Sequence, residues 1–312
     1  MPSSNLNSDR GTLAGFAAIL LWSTTVALIR SLSERVGPIT AGVAVYSVGG
    51  IFCLVQLLRS TPPRNQIQNL PSRYLLGCGG LFVLYMLVIY LAIGLANDRH
   101  QVLQVGLLNY LWSGLTILLS LFFLKNKARS LLIPGTLLAL AGIFLVLTEG
   151  SAISWFSLVG NVASNPVVYI LGLTAAISWA LYSNLTRVWG ERATSTGVIL
   201  FIPATAIVLL LVRLSIVESG AWNLAAGLEA ASLGVATALA YVFWDIAMRK
   251  GNLVLVAAFS YFIPLFSTLL SSLYLHVTPG LSLWLGCALI VLGSLMSWKG
   301  VSNSNTDSPQ RR

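Results

Sequence analysis

Apolar residues fall along this chain in ten runs, each about the length of a membrane crossing and bounded by short polar segments. The runs cover residues 12–33, 38–58, 74–97, 101–124, 131–148, 166–189, 196–216, 230–248, 252–275 and 281–298. A helix crosses a hydrocarbon core of about 30 Å with about 20 apolar residues. A membrane strand would instead need about ten residues of alternating polarity, and none of the runs alternates. The pattern predicts an all-α membrane protein of ten transmembrane helices.

Composition supports a lipid solvent. Hydrophobic residues make up 56% of the 312 positions and charged residues only 9%, against about 25% charge in a soluble domain. That balance excludes a soluble enzyme, a disulfide-stapled secreted domain and a disordered chain. The net charge of +9 does not point to nucleic acid, because the basic residues sit in short groups between apolar runs rather than on one folded face. Cys53, Cys78 and Cys287 each lie inside an apolar run and read as small buried hydrophobes. The opening MPSSNLNSDR is polar and no small-residue cleavage site follows the first apolar run, so that run is expected to be a retained helix rather than a signal peptide.

The basic groups also set the orientation. One side of the membrane receives Arg10, Arg59, Arg64, Arg73, Lys125, Lys127, Arg129, Arg187, Arg192, Arg249, Lys250, Lys299, Arg311 and Arg312, 14 in all. The other receives four: Arg30, Arg35, Arg99 and Arg213, balanced there by Glu34, Asp98, Glu149, Glu218 and Glu229. By the positive-inside rule both termini are cytoplasmic. The longest outer connection, 149–165, carries Trp155, Phe156, Leu158 and Val159 among Ser and Gly. It reads as an interfacial segment, with a gating lid as the alternative.

The chain also repeats itself. AAILLWSTTVALIRSLSER lies over TAAISWALYSNLTRVWGER at an offset that pairs Trp22 with Trp179, Arg30 with Arg187, Glu34 with Glu191 and Arg35 with Arg192. Later segments repeat at a second offset, pairing Tyr90 with Tyr241, Tyr110 with Tyr261, Ser120 with Ser271, Leu124 with Leu275, Gly135 with Gly286 and Gly142 with Gly293. Five helices per repeat is an odd number, so the second half enters from the opposite face and the repeat is inverted. Such 5+5 folds place a binding site at the repeat interface near the midplane and rock the halves around it.

Ten helices in this arrangement, with AAILLWSTT around Trp22 and TAAISWALYS around Trp179, resemble the EamA-type drug/metabolite transporter superfamily. The segments GTLLALAG and GCALIVLG in the fifth and tenth runs share the likeness, which covers about residues 11–300. Within the superfamily the chain is most similar to the YddG aromatic amino acid exporters of bacterial inner membranes. The resemblance implies a first repeat at 11–148, a periplasmic connection at 149–165, a second repeat at 166–300 and cytoplasmic tails at 1–10 and 301–312. It also implies a central cavity walled by helices one, three, four, six, eight and nine, helices five and ten at the periphery, and an amino acid or related amphipathic metabolite moving outward. No cofactor and no metal are implied; the partners are a small-molecule substrate and the lipid bilayer.

A neutral or zwitterionic solute calls for rings, hydroxyls and amides, each giving apolar area plus one or two hydrogen bonds. Trp22 with Ser23, and Trp179 with Ser183 and Asn184, offer that mixture. In the third run Met86 and Tyr90 share a face, with Tyr85 off it; both tyrosines are cavity candidates. In the fourth, Gln101, Gln104, Asn109 and Trp112 interrupt the apolar pattern, and Asn109 and Trp112 stand three apart. Tyr241 and Ser260 complete the set. Against this, Trp and Tyr often anchor helix ends at the interface, Ser and Thr often bond back to carbonyls, and the repeated glycines let helices approach closely.

Asp245 is the one carboxylate not clearly in a loop, four residues before Arg249. Its plain reading is a pair with Arg249 on one helix. The alternatives are an inner gate, a contact for a substrate ammonium, or a proton carrier. Without an acid at mid-depth, facilitated diffusion or weak coupling is expected over a dedicated proton relay. Pro203 and Pro264 read as hinges or tolerated kinks; Pro264 is the better hinge because its neighbours are polar, and its ring takes a helical partner from the Ser260 carbonyl.

An intramembrane enzyme is excluded on motif grounds: His100 and His276 lack ligand spacing, and no H-E-x-x-H, G-x-S-x-G or phosphate loop occurs. A channel would need charged rings or a carbonyl filter. The reading is thus an exporter of aromatic and other neutral amino acids by alternating access. Its alternatives are export of a different metabolite or drug-like cation, and a less selective pore.

Overall fold

Helix α1 (Pro2–Val36) and helix α2 (Pro38–Arg59) meet at Gly37, whose φ of 90° lies in the left-handed region. Glycine adopts that conformation freely because it has no Cβ; here an added Cβ would lie 2.5 Å from the Glu218 carboxyl carbon. The computed structural model describes residues 2–59, 70–148, 155–191, 193, 196–275 and 280–302. Helix α1 already begins at Pro2, so it runs through much of the polar opening.

The helices lie over the ten apolar runs. After α2 come α3 (Arg73–Gly94, opening with a π-helical stretch at Arg73–Cys78), α4 (Arg99–Asn109), α5 (Leu111–Phe123) and α6 (Leu132–Leu147). A helix α7 (Trp155–Ser164) precedes α8 (Pro166–Gly190), α9 (Val198–Arg213) and α10 (Leu224–Lys250). The chain ends with α11 (Leu253–Phe259), α12 (Ile263–Leu275) and α13 (Leu281–Lys299). Among the described residues six helices are long and apolar enough to cross a membrane, and shorter apolar helices accompany them. This is an all-helical membrane protein. Among the described residues its one β feature is a two-residue antiparallel pair, β1 (Lys127–Ala128) with β2 (Val301–Ser302), which the apolar pattern does not predict.

Local sequence explains where helices start. Side chains of Asp98, Asn223 and Asn252 accept the Gln101, Ala226 and Leu255 N–H groups, each three residues into its helix. Pro166 opens α8, where its missing N–H breaks no helical bond.

Two spans are broken part-way. Helices α4 and α5 part at Tyr110, and α11 and α12 part at a 3-10 turn, Ser260–Phe262. Tyr110 and Tyr261 are the pair matched by the sequence repeat, yet the first break holds no proline. Pro264 is the second residue of α12, where it takes no bond from the helix. The Ser260 carbonyl, expected to lose its partner, accepts the Ile263 N–H. Pro264 is therefore not what the two breaks have in common.

Packing pairs α1 with α10, α3 with α8, α2 with α9, and α6 with α13. The α6–α13 contact is backbone-close because glycines cross-pair: a Cβ on Gly142 would lie 2.7 Å from the Gly286 carbonyl oxygen, and one on Gly135 would lie 2.9 Å from that of Gly293. The opposite faces of these helices expose Ile133, Leu137, Leu292 and Leu295, as a lipid solvent demands.

Candidate functional site

Trp179 lies at the centre of the site. Its ring packs against seven others, those of Trp22, Phe82, Tyr85, Trp112, Tyr182, Tyr241 and Trp244, at centroid distances from 4.7 to 6.3 Å. Trp22 in turn meets Tyr241 at 5.4 Å and Trp244 at 5.2 Å. These rings come from α1, α3, α5, α8 and α10. Their tilted and edge-on contacts set a ring's positive rim against a neighbour's negative face.

A cavity of ≈ 350 Å³ opens beside this cluster, within the range of about 300–1,000 Å³ usual for small-molecule sites. Trp22, Tyr85, Asn109, Trp112, Trp179 and Tyr241 line it, together with Thr25, Tyr110 and Ile263. A side chamber of ≈ 170 Å³ shares Trp22, Tyr85 and Tyr241 and adds Tyr46, Met86, Tyr90 and Thr237. Tyr85, placed off the Met86–Tyr90 face in sequence, thus lines both spaces. The Tyr46 hydroxyl lies 2.7 Å from Met86 Sδ and 3.1 Å from the Tyr241 hydroxyl. Asn109 Nδ2 donates to the Tyr85 hydroxyl at 3.4 Å, while its Oδ1 has no partner. No charged residue is among the described residues lining either space.

Three sequence candidates are turned away. Ser23 donates to the Ile19 carbonyl at 2.8 Å, Ser183 to the Trp179 carbonyl at 2.9 Å, and Ser260 to the Ala257 carbonyl at 2.6 Å. None of the three lines the cavity. A hydroxyl in an apolar helix finds the preceding turn's carbonyl before it finds a solute. Ser183 also accepts the Trp244 indole N–H at 3.2 Å, and Ser260 meets Ser113 at 2.8 Å, so these serines fix the wall from behind. The glutamines of α4 face elsewhere too: Gln101 Nε2 donates to Ser164, and Gln104 Oε1 accepts from Tyr169 and Asn161, tying α4 to α7 and α8.

The two ends of the cavity differ. Towards one end its lining reaches Ile93, Val102 and Leu147, in the terminal turns of α3, α4 and α6. Beyond the aromatic cluster lies a buried polar cluster. Asp245, fully buried, accepts from Arg249 Nε at 2.8 Å, from the Tyr74 hydroxyl at 2.5 Å and from the Tyr182 hydroxyl at 3.3 Å. Arg249 also donates to the Ala193 carbonyl at 2.9 Å, and the Tyr74 hydroxyl accepts the Gly197 N–H at 2.9 Å. Arg187 donates to the carbonyls of Arg249 and Gly251. The pair on α10 is thereby tied to α3, α8 and the segment between α8 and α9. Sequence reasoning identified Asp245 and Arg249 but missed Tyr74 and Tyr182. Tyr182 stands three residues after Trp179, a helical spacing that puts both near one face.

The profile of the EamA-like transporter family matches this chain twice, over residues 9–148 and 166–298. The chain belongs to that family. The protein is 34% identical over 294 residues to the aromatic amino acid exporter YddG of Salmonella typhimurium, and 32% identical to that of Escherichia coli; each alignment spans 94% of this chain and 98% of the relative. A solved crystal structure at 29% identity superposes with a TM-score of 0.72, covering 92% of this chain and 96% of that one. These findings place it among multi-pass membrane transporters of bacteria. The cavity lies between the two EamA-like segments: Trp22, Tyr85, Asn109 and Trp112 come from the first, and Trp179, Tyr241 and Ile263 from the second.

Proposed function

We propose that this chain exports aromatic amino acids across the bacterial inner membrane by alternating access around the aromatic cavity. The observation that carries the reading is that cavity: a ring-lined space between the two family segments, walled by Trp22, Trp112, Trp179 and Tyr241 and without charge among its described lining residues. Rings supply apolar area for an aromatic side chain. The Tyr85 hydroxyl and the Asn109 amide supply few hydrogen bonds, which suits a solute that must also leave. Among the described residues the lining carries no carboxylate, which argues against a drug-like cation. Asp245 is already bonded to Arg249, Tyr74 and Tyr182 in the seal.

The fold in this reading is ten crossings in a 5+5 inverted repeat with both termini cytoplasmic. Several observations support it: the family profile matches twice; the repeat partners Trp22 and Trp179 touch at 5.8 Å; and the breaks fall at the repeat partners Tyr110 and Tyr261. Exchanging the halves turns the α1–α10 contact into α8–α3 and leaves α2–α9 and α6–α13 unchanged. The basic side then faces the cytoplasm, so the seal around Asp245 closes the inner end and the apolar vestibule faces out. The segment 149–165 carries α7 on the outer side.

Export begins when the inner seal parts. Tyr74 and Tyr182 leave Asp245, and Arg249 leaves the Ala193 carbonyl, so that the solute enters among the rings. Resealing and solute departure past Ile93, Val102 and Leu147 complete the cycle. Efflux of labelled Phe, Trp and Thr from proteoliposomes, with and without a proton gradient, tests this. Saturable, mutually competitive efflux of Phe and Trp that is indifferent to the gradient is expected. No movement above protein-free liposomes, with the protein shown to be folded, would sink the amino acid reading; dependence on the gradient would overturn the facilitated mechanism.

A further inference from the structure

A second cavity lies far from the aromatic one, at the basic end of the α6–α13 pair. It measures ≈ 450 Å³ and is lined by Arg129, Ser130, Leu131, Trp298, Lys299 and Val301. Two cations face it, and neither 120–135 nor 293–302 contains an Asp or Glu. No ion pair involves Arg129 or Lys299 among the described residues. The walls are preorganised. The Arg129 N–H donates to the Gly300 carbonyl at 2.8 Å, and the β1–β2 pairing pins the segment before Arg129 to the one after Lys299.

What continues from this cavity is apolar. Leu131 is 42% exposed, Ile133 65% and Leu137 62% along α6, and Leu295 48% and Leu292 53% along α13. Trp298 stands at the junction, where an indole suits headgroup depth. The site therefore offers cations for an anion at the membrane surface and an apolar track for chains running inward from it. Guanidinium and ammonium groups hold phosphate by charge-assisted hydrogen bonds. Basic pockets at a membrane's cytoplasmic side are where anionic headgroups dock.

We propose that Arg129 and Lys299 bind the phosphate of an anionic phospholipid, whose acyl chains lie along the exposed face of α6 and α13. A zwitterionic lipid fits less well, since its own ammonium neutralises the phosphate and finds no carboxylate in either wall segment. The proposal uses the membrane location of the protein and does not depend on which solute it carries.

Native mass spectrometry of the full-length protein, incubated with equimolar phosphatidylglycerol and phosphatidylethanolamine, tests the idea. Bound phosphatidylglycerol is expected in excess by roughly fivefold for each cation, the attraction of one Lys or Arg to an anionic membrane surface. Arg129→Gln and Lys299→Gln, tested singly, should each lower that excess by about the same factor, while Arg129→Lys should keep most of it. Equal uptake of the two lipids by the unaltered protein, a measurement needing no variant, overturns the proposal. Displacement of the bound lipid by inorganic phosphate alone also overturns it, by assigning the site to a soluble anion.

Discussion

The two ends of the central pathway are built from opposite materials. At one end a buried carboxylate gathers a guanidinium and two tyrosine hydroxyls from three helices. At the other, the described cavity walls include Ile29, Ile93, Val102 and Leu147, and the charged pair Arg213 and Glu218 serves as scaffold. Glu218 there accepts the Ile39 and Thr40 N–H groups at 2.9 and 2.7 Å and the Thr40 hydroxyl at 2.6 Å, and Arg213 donates to Thr40 and to the Ile216 and Glu218 carbonyls. Those bonds hold the tip of α2 without lining the pathway. The difference teaches where charge is useful in a transporter. Buried hydrogen bonds are strong enough to keep an end shut, and entering water replaces them when it opens. Apolar walls offer a departing zwitterion nothing to hold.

The comparison is broken most severely by removing the acid. Asp245→Ala leaves Arg249 buried without its carboxylate, and a loss of about 3–5 kcal/mol is expected. Thermal unfolding in detergent, followed by size-exclusion chromatography, reads it. Replacing both members, Asp245→Leu with Arg249→Met, should recover a large part of that loss, because no charge is left stranded. A single variant as stable as the unaltered protein would show that the seal contributes nothing.

A milder change should loosen the seal without collapsing it. Tyr74→Phe removes a hydrogen bond to a charged acceptor, worth about 1.5–3 kcal/mol, and the acceptor for the Gly197 N–H. The Asp245 end should then open roughly tenfold more often or better, by the same arithmetic. Cys78, buried one turn beyond Tyr74, reports this through its rate of maleimide labelling, with Cys53 and Cys287 replaced by Ser. An unchanged rate would separate Tyr74 from the gate.

The smallest effect is expected at the other end. Glu218→Gln weakens the bonds at the start of α2, an end-capping loss of about 1 kcal/mol, and should leave Cys78 labelling where it was. Faster labelling in that variant would mean that the Glu218 scaffold and the Asp245 cluster act as one device.

Much of the fold was legible along the chain because lipid permits few solutions. A run of some 20 apolar residues in a bilayer must satisfy its backbone internally, and a helix does so. The break at Tyr110 was not legible: no proline marks it, and the strand pair at Lys127–Ser302 joins residues too far apart in sequence to signal each other. Within the cavity, Trp22 and Trp179 stood out through their place in the repeat. Ser23, Ser183 and Ser260 were drawn in by polarity alone, and the preceding turns claimed their hydroxyls first. Tyr74, Tyr46, Phe82 and Trp244 were passed over because a ring in an apolar helix looks like any other core residue until its neighbours are known.

What the sequence determined by itself was the solvent, the order and approximate ends of the spans, the family likeness and the distribution of basic residues. Each of these depends on local composition or on matching one segment with another. Tertiary structure alone decided which rings meet at Trp179, and that Asp245 is held by Tyr74 and Tyr182 as well as Arg249. Those facts turn on contacts between helices distant along the chain, where a rotation of one helix about its axis exchanges wall for core.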